Sequence, residues 1–294
     1  MSNYQLISDY RHIQNYKKSF YELAKSTFGI DFKEWDERGG WNDRYICYSY
    51  VDEEQIIANV SISKMNIVIH QKEYNAIQIG TVMTHPDYRN QGLSGKLMNH
   101  ILAKYEYQCD FIYLFANASV LDFYPRFGFK RMQESCFSLK TSLLRTSQTS
   151  SVRVLDTNNP DDFLIIQRIA GNRGPVSSTL GVTNVEGLLL FYFLVVFNDS
   201  IYYIEEDDVI VLFKKEDHQL HLFDIISTSR IELYSIVNSI LSPEISVIHF
   251  HFTPDDPKDL IEAVYTTQND DTLFVRPFIK DLPKHFMFPI TSHA

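Results

Sequence analysis

The chain has 294 residues, 45% hydrophobic and 22% charged, a soluble-protein composition with enough apolar material for two domains of ordinary size. A formal net charge of −10 leaves no basic footprint of the kind a duplex demands, so no nucleic-acid partner is expected. Cys47, Cys109 and Cys136 are too few and too scattered for a disulfide frame or a CxxC metal site, so no metal is expected. The first residues, MSNYQLISDY, lack the basic start and apolar stretch of a secretion signal. The one continuous apolar run, residues 188–197 (LLLFYFLVVF), is too short to cross a bilayer and reads as a buried strand or helix. A cytoplasmic protein without a membrane partner is therefore expected. The acidic surface is compatible with a cationic substrate such as an amine.

YQLISDY alternates like a strand. Ile13, Tyr16, Phe20, Leu23, Ala24 and Phe28 then recur at three-to-four spacing, an amphipathic helix ending near Gly29. A short helix around DFKEWDERGGW stops at its glycine pair. YICYSYVDEEQIIANVSIS reads as a hairpin turning at its acidic residues. In the next strand, AIQIGTVM, strict alternation puts Ile77, Ile79, Thr81 and Met83 on one face and Gln78, Gly80 and Val82 on the other. After the loop HPDYRNQG, a stripe from Leu93 to Tyr105 predicts a helix. FIYLFAN predicts a buried strand, SVLDFYPRFG a short helix and FKRMQESCFSLK a closing strand. The layout is α/β (α+β), with helices around a mixed, mostly antiparallel sheet.

LLRTSQTSSV, polar and aperiodic, is the expected linker. Beyond it, SVRVLD, PDDFLIIQRIAG, three strands with acidic turns, the helix RIELYSIVNSIL and the strands ISVIHFHF and LFVRPF follow the order of the first half. We read this as a degenerate duplication: residues 1–143 and residues 144–294 as two domains in tandem. GNRGPVSSTLG reads as a flexible connection. His249 and His251 fall on one strand face without a third ligand at metal spacing.

The segment THPDYRNQGLSGKLM carries the strongest chemical signal. It leaves a strand, makes a short loop with Arg89 and Gly92, and enters a helix. A helix N-terminus offers unpaired amides and partial positive charge, and glycine lets the chain approach a phosphate closely. Gly92 and Gly95 clear that mouth, while Arg89 and Lys96 bring charge to it. Taken alone, two glycines make only a tight corner.

In its wider setting, VMTHPDYRNQGLSGKLM resembles the acetyl-CoA-binding motif of the GNAT superfamily of N-acyltransferases, Arg/Gln-x-x-Gly-x-Gly/Ala, with Arg89, Gly92 and Ser94 in the defining places. NASVLDFYPRFGF looks like a second element of that family, with Asn117, Tyr124 and Gly128 at the family spacing and Val120 where alanine is usual. The resemblance covers roughly residues 4–140. It implies that Val82, Met83 and Thr84 pair with the pantetheine arm of acetyl-CoA. It implies further that the loop of Arg89, Asn90, Gln91, Gly92, Leu93, Ser94 and Gly95 cradles the pyrophosphate, and that Asn117 contacts the cofactor arm. Tyr124 matches the residue that donates a proton to the departing thiolate.

A general base is less legible, because residues 76–80 (AIQIG) hold no carboxylate or imidazole. His85 at the strand end, Glu134 on the closing strand and the terminal carboxylate of Ala294 are the candidates. Some two-domain relatives use the last, and the tail HFMFPITSHA is apolar enough to dock. The expected function is acetyl transfer from acetyl-CoA to the primary amine of a small molecule or peptide, by direct attack in a ternary complex. DIISTSRIEL replaces the phosphate loop in the second half, which is expected to shape the acceptor site or a homodimer contact. A CoA-binding sensor or inactive homologue, and a protein-interaction module, are the competing classes.

Overall fold

A computed structural model describes residues 4–144, 151–267, 270–277, 279 and 281–294. Most of the expected linker lies outside the described residues. The fold is mixed α/β, with two mostly antiparallel sheets flanked by helices, as expected.

The first sheet opens with β1 (Gln5–Ser8), then α1 (Gln14–Phe28) and α2 (Lys33–Glu37) cross to β2 (Tyr45–Asp52), β3 (Gln55–Ile69) and β4 (Lys72–Thr84). Helix α1 buries Phe20, Leu23 and Ala24 on one stripe and ends where Gly29 turns left-handed at φ 73°, its N–H bonding the Lys25 carbonyl. Helix α3 (Leu93–Tyr105) leads to β5 (Phe111–Ala116), the parallel neighbour of β4. The expected helix at SVLDFYPRFG is two separate 3-10 turns, at Ala118–Val120 and Tyr124–Phe127. The expected closing strand is also split, into β6 (Lys130–Arg131) and β7 (Ser135–Lys140), which belong to different sheets.

The second half supplies β8 (Val152–Val154), α4 (Pro160–Gly171), β9 (Leu180–Thr183) and α5 (Glu186–Phe191). A π-helical turn, Tyr192–Val196, prolongs α5, so the apolar run is helical. Then follow β10 (Ile201–Ile204), β11 (Val209–Glu216), β12 (Gln219–Ile226), α6 (Leu233–Ile240), β13 (Val247–Phe250), β14 (Glu262–Tyr265) and β15 (Thr272–Arg276). The first sheet runs β1-β2-β3-β4-β5-β15-β6 with β9 also on β3, and the second runs β14-β7-β13-β12-β11-β10-β8.

Strand membership does not follow the expected boundary after residue 143. β7 sits in the second sheet, while β9 and β15 complete the first. The segment read as a flexible connection ends in β9, whose residues Leu180 to Thr183 pair with residues 66–69 of β3. Such exchanges depend on pairing partners far apart in the chain, which local patterning does not encode.

One face of the first sheet packs on α3 through Ile77, Ile79, Leu97 and Ile101. On the other, α1 and α2 cover Tyr45, Cys47 and Met83, and the C-terminal tail covers Tyr113 and Val275 with Phe286 and Phe288. The tail is stitched to the second sheet: Ser135 N–H, in β7, donates to the Phe286 carbonyl (2.7 Å), and Ile290 N–H to the carbonyl of His251, just after β13 (3.0 Å). A buried pair anchors it from below. Arg173 donates to Asp224 at 2.8 and 3.2 Å, both side chains are 2% exposed or less, and the Thr291 hydroxyl donates to the same carboxylate. Removing one partner of a buried pair strands the other charge. We therefore expect Asp224→Ala to cost about 3–5 kcal/mol in urea unfolding, and Asp224→Asn distinctly less.

Candidate active site

In β4 the ladder with β3 is interrupted. Ser61 faces Gly80 and Asn59 faces Met83, so Thr81 and Val82 stand opposite the single residue Val60. This is a β-bulge, and Thr81 takes φ 48°, a conformation that costs a β-branched residue about 1–3 kcal/mol. Two buried groups hold it there: Asn59 Nδ2 donates to the Thr81 carbonyl (2.9 Å), and the Tyr45 and Thr81 hydroxyls are bonded at 2.9 Å. The bulge also corrects the expected alternation. Met83 packs with Tyr45 on the α1–α2 face, opposite Ile77 and Ile79, because one extra residue reverses the facing of all that follow.

Beside the bulge, β4 and β5 stop pairing. Their parallel ladder ends at Ile79 and Leu114, although β4 continues to Thr84 and β5 to Ala116. Val82, Met83 and Thr84 thus line one side of a parting in the sheet, and Asn117 follows at the end of the other. Asn117 accepts a hydrogen bond from Ser119 N–H (3.0 Å) and is itself exposed.

The loop after β4 builds an open helix mouth. His85 caps a 3-10 turn at Pro86–Tyr88, its ring accepting from Asp87 N–H (3.4 Å), so its imidazole is turned to its own loop. Arg89 Nε donates to the Thr84 carbonyl (3.3 Å). Asn90 and Gly92 are both left-handed, at φ 62° and 71°. Gly92 is the cap residue of α3 and supplies no side chain to the amides behind it. The first bond within the helix is Lys96 N–H to the Gly92 carbonyl (3.0 Å), so the amides of Leu93, Ser94 and Gly95 precede it. Ser94 and Thr84 hydroxyls meet at 2.7 Å and join helix to strand. Gln91 and Lys96 are exposed at the same mouth.

Tyr124, in the core cluster that holds Ile79 and Leu114, is 6% exposed and packed against Phe123, Phe129 and Phe274. Burial pushes its phenol up to about 12, so it carries its proton at neutral pH.

The C-terminus reaches the same strand from the opposite face. A Cβ built on Gly80 would stand 3.0 Å from the carboxyl carbon of Ala294, so glycine is what admits the tail there. His293 stacks on Phe115 with centroids 3.5 Å apart, and Tyr192 Oη donates to its carbonyl (2.8 Å). Its Nδ1 is 3.4 Å from Asp271, while its Nε2 is buried without a partner among the described residues. Glu134 serves this tail: its Oε1 accepts from Phe288 N–H (2.7 Å), and it is 7% exposed. A cavity of about 260 Å³ opens beside Ala294, bounded by Tyr45, Thr81, Trp35 and Leu188.

Gly80, Thr81 and Tyr45 escape sequence reasoning, although a glycine inside a strand is a recognised sign of close backbone approach. Gln78, two residues before Gly80, is fully buried with both amide atoms unpartnered among the described residues. His221 joins His249 and His251 in a stack, with His221 Nδ1 and His251 Nε2 at 3.1 Å. No cluster suited to a metal ion occurs among the described residues. The sheet switch of the second half differs from that of the first: α6 is capped by Glu232, whose carboxylate accepts from Ser235 N–H (2.8 Å).

The acetyltransferase (GNAT) domain family matches residues 10–132. No curated protein sequence matches the chain. Solved structures share its fold over nearly the whole length. A conserved protein of Enterococcus faecalis V583, put forward as an N-acyltransferase, is 17% identical with a TM-score of 0.61, over 94% of this chain and 72% of that one. A GCN5-related N-acetyltransferase of Kribbella flavida is 17% identical at TM-score 0.56, over 93% and 72%. Eis1 of Mycobacterium abscessus is 13% identical at TM-score 0.60, over 94% and 73%.

Burial of Glu134 has a measurable consequence. Desolvation raises its carboxyl from the usual 4.5 to about 7, against the lowering effect of His293 and the Phe288 amide. The unfolded chain then holds fewer protons than the folded one between pH 4.5 and 7, so stability falls as pH rises through that window. Urea melts at pH 5 and pH 8 should show wild type losing roughly 3 kcal/mol more than Glu134→Gln across the interval.

Proposed function

We propose that the chain, whose residues 10–132 match the acetyltransferase (GNAT) domain family, transfers an acetyl group from acetyl-CoA to a primary amine within a ternary complex. The observation that carries this reading is the parting of β4 from β5 beside an uncapped helix N-terminus, with a carboxylate at the bulge on the opposite face. The residues fit the donor. Amides of Leu93, Ser94 and Gly95, with Arg89, Asn90, Gln91 and Gly92 before them, form a site for a pyrophosphate. Val82, Met83, Thr84 and Asn117 flank the slot for the pantetheine arm. When bound, the donor supplies an activated thioester.

The chain's own groups divide the proton work. Tyr124 Oη, protonated at neutral pH, donates to the departing thiolate. The Ala294 carboxylate accepts the proton that the acceptor ammonium must lose before its nitrogen can attack. We assign the base to neither Glu134, which binds the tail backbone, nor His85, which binds its own loop; Glu134 and His293, stacked on Phe115, anchor the tail that carries Ala294. The second half serves the acceptor side. Glu232 already occupies the N-terminus of α6, so an anion there would meet a carboxylate, and we assign no second CoA to it.

Calorimetric titration should give one acetyl-CoA per wild-type chain and none for Gly92→Glu, whose carboxylate faces the pyrophosphate site. Tyr124→Phe should lower kcat about 10²-fold with acetyl-CoA affinity retained. Residues appended after Ala294 should lower kcat comparably. An extended chain of undiminished kcat would remove Ala294 from the mechanism and leave the donor site standing.

A further inference from the structure

The cavity beside Ala294 is lined mainly by apolar and aromatic groups from both halves of the chain, with Arg44 and Lys64 as cations in its wall. Phe28, Phe32 and Trp35 come from α1, α2 and the loop between them, Tyr45 from β2, and Leu188 and Phe191 from α5. Among the described residues no aspartate or glutamate side chain lines it. Glu186, which contacts two lining residues, is already engaged: it accepts from Asn42 Nδ2 (3.2 Å) and lies 3.5 Å from Arg44 Nε. Apart from Ala294, then, the walls offer nothing to balance a cation.

That arrangement discriminates strongly among amines. An ammonium taken out of water without a partner costs several kcal/mol, so a second or third positive charge on the acceptor is penalised here. An aromatic body gains instead, through ring contacts with Trp35, Tyr45 and Phe32 and through the cation–π attraction of its one ammonium. Size agrees. A cavity of about 150 Å³ takes up benzene, so 260 Å³ holds one ring with a short arm. Resting on the acyl-transfer reading above, we propose that the acceptor is a singly charged primary amine on a compact aromatic body, of the arylalkylamine class, and not a polyamine or aminoglycoside.

The test pairs turnover with binding. Initial rates with acetyl-CoA are measured for 2-phenylethylamine, spermidine and kanamycin, and binding of each is followed by calorimetry and tryptophan fluorescence, which Trp35 in the cavity wall reports. We expect kcat/KM for 2-phenylethylamine at least tenfold above both polycations. Leu188→Asp should narrow or reverse that ratio, and Phe28→Asp, at a position already 43% exposed, serves the same purpose if the first variant does not fold. A tenfold preference for spermidine or kanamycin overturns the acceptor class while leaving acyl transfer intact. Binding of 2-phenylethylamine with no amine acetylated upholds the ligand class and overturns the transfer reading. Failure of 2-phenylethylamine to bind at all overturns the acceptor class.

Discussion

Thr81 and Val82 together face one residue of β3, and the geometry of the site follows from that mismatch. A bulged strand bends, and β4 ceases to pair with β5 at the residue before Gly80. The strained Thr81 is tied down by a buried polar chain. The Tyr10 and Ser49 hydroxyls bond at 2.7 Å, Ser49 donates to Asn59 Oδ1 at 2.8 Å, and Asn59 Nδ2 donates to both Ser61 and the Thr81 carbonyl at 2.9 Å. Linked hydrogen bonds of this kind specify one backbone path, because breaking any member leaves a buried polar group unpaired. Rigidity at the bulge is thus bought inside the core.

Two independent segments converge on this strand from opposite faces. On the α3 face, the helix mouth and Tyr124 are close to β4 in sequence and reach it through one turn and one crossover. On the other face, Ala294 arrives from the far end of the chain, guided by Glu134, Asp224 and β15. The tail packs Phe286 and Phe288 against Tyr113, so the burial that closes the first sheet also brings Ala294 to Gly80. Stability and site geometry share the same contacts there, and residues that anchor the tail are bound to affect both.

The two sheets cap corresponding helices differently. Among the described residues each has a single parallel step, β4 to β5 and β12 to β13, crossed by α3 and α6 respectively. In the first, a left-handed glycine opens the helix and leaves its amides free. In the second, Glu232 caps the helix itself, and the bond that stabilises α6 excludes a phosphate from it. What the second half contributes is its wall: α5 closes the aromatic cavity over β2 and β4.

The local chemistry was legible in the residues alone. Gly29 and Gly92 mark helix boundaries, the Leu93 to Tyr105 stripe places α3, and the loop with its open helix start is local too, since each depends on neighbours within a few positions. Tyr124 was found through its spacing from Asn117, though the elements carrying it are 3-10 turns. The bulge was not legible, for strict alternation was the better guess until Asn59 and Tyr45 were seen to hold Thr81. Nor were the strand β9, the pairing of the expected strand β15 with β5 and β6, the approach of Ala294 to Gly80, or the cavity between α2 and α5. Those join residues more than a hundred positions apart, and pairings at such range are selected by the closing of the whole core, which no stretch of sequence contains. Motif and helix came from the chain itself; the cavity beside Ala294 exists only in the fold.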